Sequence, residues 1–107
     1  MTDDFYCDEV FSGKTPVKKV LETENVLAYY HTKPFWPVHI VVVPKKHINS
    51  LLTLTDRSLI IEIMDVIQRG SKEWTEEHGQ CRVLTNLGNY QDSKHLHFHV
   101  NSGKPRK

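Results

Sequence analysis

The sequence predicts an α+β domain: a largely antiparallel five-stranded sheet with one long helix and a short N-terminal helix. Three observations predict it. Short β-branched or alternating stretches lie on both sides of one long stretch, and only that long stretch has helical spacing. Runs of strands broken by a single helix, rather than strict strand–helix alternation, are the pattern of α+β domains. Near the C-terminus, His95-Leu96-His97-Phe98-His99-Val100 alternates polar and apolar residues with the period of two that a strand imposes.

The elements follow in chain order. Val10 and Phe11 pack on the body from a short helix that Ser12-Gly13 ends. Val17 to Leu21 and Val26 to Tyr30 form a hairpin, with Glu22-Thr23-Glu24-Asn25 as its polar turn. His31 to Pro37 is a loop, because Pro34 and Pro37 would each remove a ladder donor from a central strand. Val38 to Val43 is apolar and β-branched except for His39, the composition of a strand buried on both faces. A histidine there needs a partner, since an unpaired buried polar group costs on the order of 1–3 kcal/mol.

Lys45-Lys46-His47 is an exposed basic corner, and Leu51, Leu52 and Leu54 lead to the helix. Thr55 or Asp56 supplies its N-cap. From Arg57, the residues Ile60, Ile63, Met64, Ile67 and Trp74 recur at helical spacing and read as core. Gly70 shares that stripe, where a close neighbour is expected to cross. The helix runs to about Glu77, with Gly79 just past its end. Cys81 to Thr85 is the fourth strand, Asn86-Leu87-Gly88-Asn89 is turn chemistry, and Lys94 to Val100 is the fifth.

Composition narrows the function. A chain of 107 residues, 38% hydrophobic and 25% charged, makes one domain spanning residues 1–107. Its net charge of +1 gives no basis for bulk binding to nucleic acid or to a membrane. Cys7 and Cys81 are isolated, there is no signal peptide and no long apolar run, so reduced thiols and a cytoplasmic location are expected.

The histidine strand carries the chemistry. On a strand His95, His97 and His99 share one face, with Leu96, Phe98 and Val100 turned to the core. Such a row fits nucleophilic and acid–base work at phosphorus, since neutral imidazole is a good nucleophile near pH 7. It also fits a metal site with His39 as a third ligand, or a polar face with no chemistry. Asp92 is the one acid near the motif to serve a metal's outer shell.

With these residues the chain resembles the histidine triad family, whose motif is His-φ-His-φ-His-φ-φ with φ apolar. His95 to Val100 match through the sixth position, and Asn101 stands where the last apolar residue belongs. Pro37-Val38-His39-Ile40-Val41-Val42-Val43-Pro44-Lys45-Lys46-His47-Ile48 resembles the family's Pro-x-His-φ-φ-φ-φ-Pro-Lys-x-His-φ block. Asn86-x-Gly88 and Gly13-x-x-Pro16 match two further blocks.

The resemblance implies a HIT-like fold and a nucleotide hydrolase or transferase, nearest the Hint-like branch. Such an enzyme acts on the α-phosphate of nucleoside phosphoramidates, esters or anhydrides. It implies a covalent nucleotidyl intermediate on His97, with His95, His99 and His39 assisting. It also implies nucleotide contacts from Tyr6, Val10, Tyr29, His31, Thr32, Val41, Asn86, Gln91, Asp92 and Ser93. The implied partners are a purine nucleotide or nucleotide conjugate and a second copy of the chain, with Phe35, Trp36 and Trp74 as interface or core residues. No cofactor is required. Many relatives bind zinc through an N-terminal Cys-x-x-Cys, but Phe5 and Asp8 occupy those positions here, so a structural zinc is not expected. His31 replaces the Asp that grips the ribose diol in the branch. Asp92, followed by Ser93, replaces its Ser or Thr before the triad. Two rival functions are a metal-dependent hydrolase that uses the histidine strand as ligands, and a catalytically decayed nucleotide-binding module.

Overall fold

The computed structural model describes residues 18–30, 38–91 and 95–103. Five strands and one long helix lie within them: β1 (Lys19–Glu22), β2 (Val26–Tyr30), β3 (Val38–Pro44), α1 (Arg57–His78), β4 (Arg82–Leu84) and β5 (Phe98–Ser102). The sheet order is β1-β2-β3-β5-β4, and every neighbouring pair is antiparallel. This is the expected α+β architecture. The expected short N-terminal helix and the loop over residues 31–37 lie outside the described residues.

Helix α1 starts where Asp56 accepts a hydrogen bond from the Leu59 amide at 3.2 Å, which satisfies one orphan N–H of the first turn. It stops at Gly79, whose φ of 80° is left-handed and costs little only without a Cβ. Its buried stripe is Leu59, Ile63, Val66, Ile67 and Trp74. That stripe packs on Val26, Ala28, Ile40, Val42, Leu96, Phe98 and Val100 from one face of the sheet. Burying a side chain of this kind contributes about 1.5–3 kcal/mol, so this layer is the main source of stability. Trp74 is therefore a core residue.

Three expectations about the helix are corrected. Ile60, read as core, is only half-buried and lies outside the core cluster. Met64 is 38% exposed rather than core, because it lies at the margin of the stripe. No neighbour crosses at Gly70: a Cβ built there meets nothing within 4 Å. Gly70 instead borders a cavity of about 180 Å³ between α1 and the sheet, walled by Val20, Ile40, Val42, Val66 and Val100.

The turn between β1 and β2 is tied to the helix by Glu62. Its carboxylate accepts from the Thr23 hydroxyl and from the Asn25 backbone and side-chain amides at 2.8 and 2.9 Å. These donors, Thr23 first, hold its carboxyl below the usual carboxylate range. Glu22 is paired at 2.6 Å with Lys45 and at 2.9 Å with Lys19, which pull its pKa down to about 2.

The opposite face of the sheet is different in kind. Leu27, Tyr29, Val41 and Val43 form a second buried apolar cluster there. Register places Tyr29 beside Val41, Val41 beside His99, and His39 beside Asn101. Cross-strand partners share a face, so the histidines stand on this second face and the helix covers the first.

Candidate active site

His39 comes from the middle of β3 and His99 from β5. Each is buried, at 4% and 9% exposure. His39 Nε2 and His99 Nδ1 are 2.7 Å apart, and their rings are 4.9 Å apart between centroids. Two imidazoles joined nitrogen to nitrogen share one proton between them, one donating and the other accepting. This is the partner that a histidine inside an apolar strand requires.

The fifth strand is shorter at its start than the alternation predicts. Its ladder begins at Phe98, and His95 to His97 precede it without strand pairing. This segment is held by other bonds. The Leu96 amide donates to the Ile48 carbonyl at 2.6 Å, and the Thr85 hydroxyl donates to the His97 carbonyl at 2.7 Å. Leu96 is buried in the core at 1% exposure, which fixes the neighbouring histidines toward the other side.

His97 is 6% exposed, and its ring meets that of His99 edge-on with centroids 5.0 Å apart. Its Nδ1 lies 2.8 Å from the backbone oxygen of His95. A carbonyl oxygen can only accept, so Nδ1 carries the proton, and in neutral imidazole the lone pair is then on Nε2. His95 is fully buried, and by the same argument its Nε2 donates to the Pro44 carbonyl at 2.8 Å. The ring of His95 meets His47 at 90°, with centroids 5.2 Å apart. The triad is thus not one stack of three rings. His97, His99 and His39 form a continuous cluster, and His95 joins it through its backbone oxygen while its own ring is anchored at the end of β3.

Around this cluster the structure places some of the expected nucleotide contacts. Tyr29 and Val41 lie in one row with His99, at 2% and 1% exposure. Gln91 is buried and donates to the Asn49 carbonyl at 2.6 Å, which joins the turn before the triad to the loop after β3. Asn86 is half-buried in the stretch between β4 and the short helical turn Gly88–Tyr90. Tyr6, Val10, His31, Thr32, Asp92 and Ser93 lie outside the described residues, as do Phe35 and Trp36. His47 is exposed, as its basic corner predicts, and donates from Nε2 to Asn49 Oδ1 at 2.7 Å.

Sequence reasoning missed Thr85, Pro44 and Asn49, which act through backbone or side-chain oxygens. Thr85 had one signal: it is a hydroxyl residue immediately before the Asn86 turn, close in a hairpin to the histidine segment.

Among the described residues no three histidine, cysteine or acidic side chains are grouped so as to hold a metal ion. Cys81 carries a free thiol. No helix among the described residues is long and apolar enough to cross a membrane.

An antiparallel sheet backed by one helix, with buried histidines linked through ring nitrogens and backbone oxygens on its other face, defines a class of small α+β proteins. The model of the HIT domain matches residues 12–106, and on that match the chain belongs to the HIT family. A HIT-like protein of Helicobacter pylori is 32% identical over 98 residues, covering 90% of this chain and 93% of its own. The solved structure of a histidine triad protein from Clostridium difficile superposes with a TM-score of 0.80 at 37% identity, over 97% of this chain and 93% of the other. A HIT family hydrolase from Legionella pneumophila gives a TM-score of 0.76 at 27% identity, over 94% and 93% of the two chains. At the level of the family, this is a hydrolase-type fold.

Proposed function

We propose that this chain is a nucleotide hydrolase or transferase that acts on the α-phosphate of nucleoside phosphoramidates, esters or anhydrides. The observation that supports this most directly is the hydrogen bond from His97 Nδ1 to the His95 carbonyl, which puts the imidazole lone pair on Nε2. In the first step Nε2 attacks the α-phosphorus. A P–N bond forms, the bond to the leaving group breaks, and the leaving group departs with a proton from a neighbouring imidazolium. In the second step water attacks phosphorus and gives a proton to the imidazole that donated in the first, the P–Nε2 bond breaks, and nucleoside monophosphate is released. Phosphoryl-centred chemistry of this kind needs positioning and charge stabilisation more than covalent help.

The neighbours fit supporting roles. The His39–His99 pair shares one proton and can present ring N–H donors to the developing phosphate charge. His95, with Nε2 fixed on Pro44, has Nδ1 as its exchangeable position. Tyr29 and Val41 supply an apolar wall in the row of His99, suited to the nucleoside of a purine nucleotide or conjugate. His31, Thr32, Tyr6, Val10, Asn86, Gln91, Asp92 and Ser93 complete the contacts in this reading. No metal takes part. A homodimer joined through the two β4 edges fits the exposure of Val83, which is 46% accessible on that edge strand.

The test is turnover of adenosine and guanosine 5′-phosphoramidates, read as amine release by wild-type protein and by His97→Ala. The expected result is release by the wild type alone. Equal release by both proteins, or none by the wild type, contradicts the reading.

A further inference from the structure

One row of the sheet runs on from the histidine cluster to the edge. His39 on β3 is in register with Asn101 on β5, and Asn101 is in register with Arg82 on β4. All three therefore point to the same face. Asn101 occupies the position where the triad motif carries an apolar residue, yet it is 0% exposed. Its Oδ1 accepts from Arg82 Nη1 at 2.7 Å, and Arg82 Nη2 donates to the Gly103 carbonyl at 2.7 Å. The two bonds fix the guanidinium against the strand. The Asn101 amide oxygen therefore faces Arg82 on β4, and on the other neighbouring strand, β3, His39 is the cross-strand partner of Asn101. The amide nitrogen of Asn101 is buried and has no hydrogen-bond partner. A buried donor left unsatisfied is costly, and such groups in folded proteins call for an explanation.

We propose that Arg82 and Asn101 are positioning residues that hold the His39–His99 pair in its neutral, one-proton-shared state, by placing a fixed cation on the edge strand and a buried amide between it and His39. Both lie in the row of His39. An additional proton on the buried pair is opposed by the guanidinium held in that row against the buried Asn101. Among the described residues, the titratable groups on this face are His97 from the segment before β5, Arg82 from β4, Tyr29 from β2, and Lys19 and Glu22 from β1, in register with Tyr29 and Leu27. Lys19 is paired with Glu22, whereas Arg82 lies in the row of His39 through Asn101. The consequence for turnover rests on the function proposed above; the titration itself does not.

The experiment is a pH titration of the histidine ring nitrogens by long-range ¹H–¹⁵N NMR, without substrate, on the wild type and on Arg82→Gln, Arg82→Lys and Asn101→Asp. Arg82→Gln removes the charge and keeps a donor, and Asn101→Asp neutralises the charge in place. Each is expected to raise the protonation midpoint of the His39–His99 pair by roughly half a unit to one unit. Arg82→Lys is expected to keep the midpoint near that of the wild type. An unchanged midpoint in both Arg82→Gln and Asn101→Asp, or an equal rise in Arg82→Lys, overturns the proposal. In turnover, the acid limb of the kcat/KM profile is expected to move to higher pH with the midpoint. A uniform loss at every pH, without that movement, contradicts the assigned role.

Discussion

His97 Nδ1 donates to the backbone oxygen of His95 at 2.8 Å, so the orientation of the central histidine depends on the main chain of the first. This separates the two residues in a way that their shared motif does not. Replacing the His95 side chain leaves the oxygen that orients His97. His95→Ala and His99→Ala are therefore expected to keep measurable but reduced turnover, while His97→Ala falls to background and still binds nucleoside monophosphate. Steady-state kinetics and a binding isotherm check this. Loss of turnover in His95→Ala equal to that in His97→Ala contradicts it.

Thr85 fixes the same segment from β4's end. Its hydroxyl bond to the His97 carbonyl is worth about 1 kcal/mol, and Thr85→Val keeps the shape while removing it. The expected outcome is a fall in kcat of several-fold with little change in KM, because the residue lies against the backbone of His97. An unchanged kcat means that Phe98 and Leu96 alone hold the segment.

Acid should weaken the junction between the β1–β2 turn and α1. The folded Glu62 carboxyl titrates below its unfolded value, chiefly because Thr23 and Asn25 donate to the charged form. A depressed carboxyl contributes stability above the unfolded pKa, and that contribution is lost as pH falls through the folded pKa. The melting-temperature gap between wild type and Glu62→Gln should therefore be widest near neutrality and close as pH falls below about 4.5, the ordinary glutamate range. Thermal melts from pH 7 to pH 3 measure it. A gap that does not depend on pH assigns the role of Glu62 to shape rather than charge.

Turnover should survive chelation. His39 and His99 are joined nitrogen to nitrogen at 2.7 Å, which commits one nitrogen of each ring to the other rather than to an ion. Activity after exhaustive dialysis against a chelator, with the metal content of the protein measured alongside, is expected to be unchanged. About one zinc per chain, with activity lost on its removal and restored on its return, would promote the metal-dependent rival.

The fold was legible where one pattern dominated. Of the helical stripe, Ile63, Ile67 and Trp74 were legible from spacing while Leu59 and Val66 were not, and the cap at Asp56 and the stop at Gly79 follow from two local residues. The all-apolar run of β3, broken by one histidine, correctly implied a buried partner for His39. Less was legible where the chain acts through its backbone. Nothing in the side chains says that Pro44 and His95 serve through carbonyl oxygens, or that the β5 ladder starts only at Phe98. Alternation shows which residues share a face, but not which rings touch. Hence the contact between the His95 and His47 rings was out of reach. Gly70 misled for a related reason: a glycine in a packed stripe reads as a close approach, whereas here it opens onto a cavity. Asn101 was visible as a departure from the motif, but its bond to Arg82 depends on a register that only the folded sheet defines.

The central claim is that His97 Nε2 becomes bonded to phosphorus. The most direct measurement is to stop the wild-type reaction on an adenosine phosphoramidate with alkali, digest the chain and locate the added nucleotide by mass spectrometry. The account predicts one adenylyl group on His97, lost on mild acid treatment as a phosphoramidate is, and absent from the His97→Ala protein. A label on another residue, or full turnover with no trapped intermediate and an active His97→Ala protein, contradicts it.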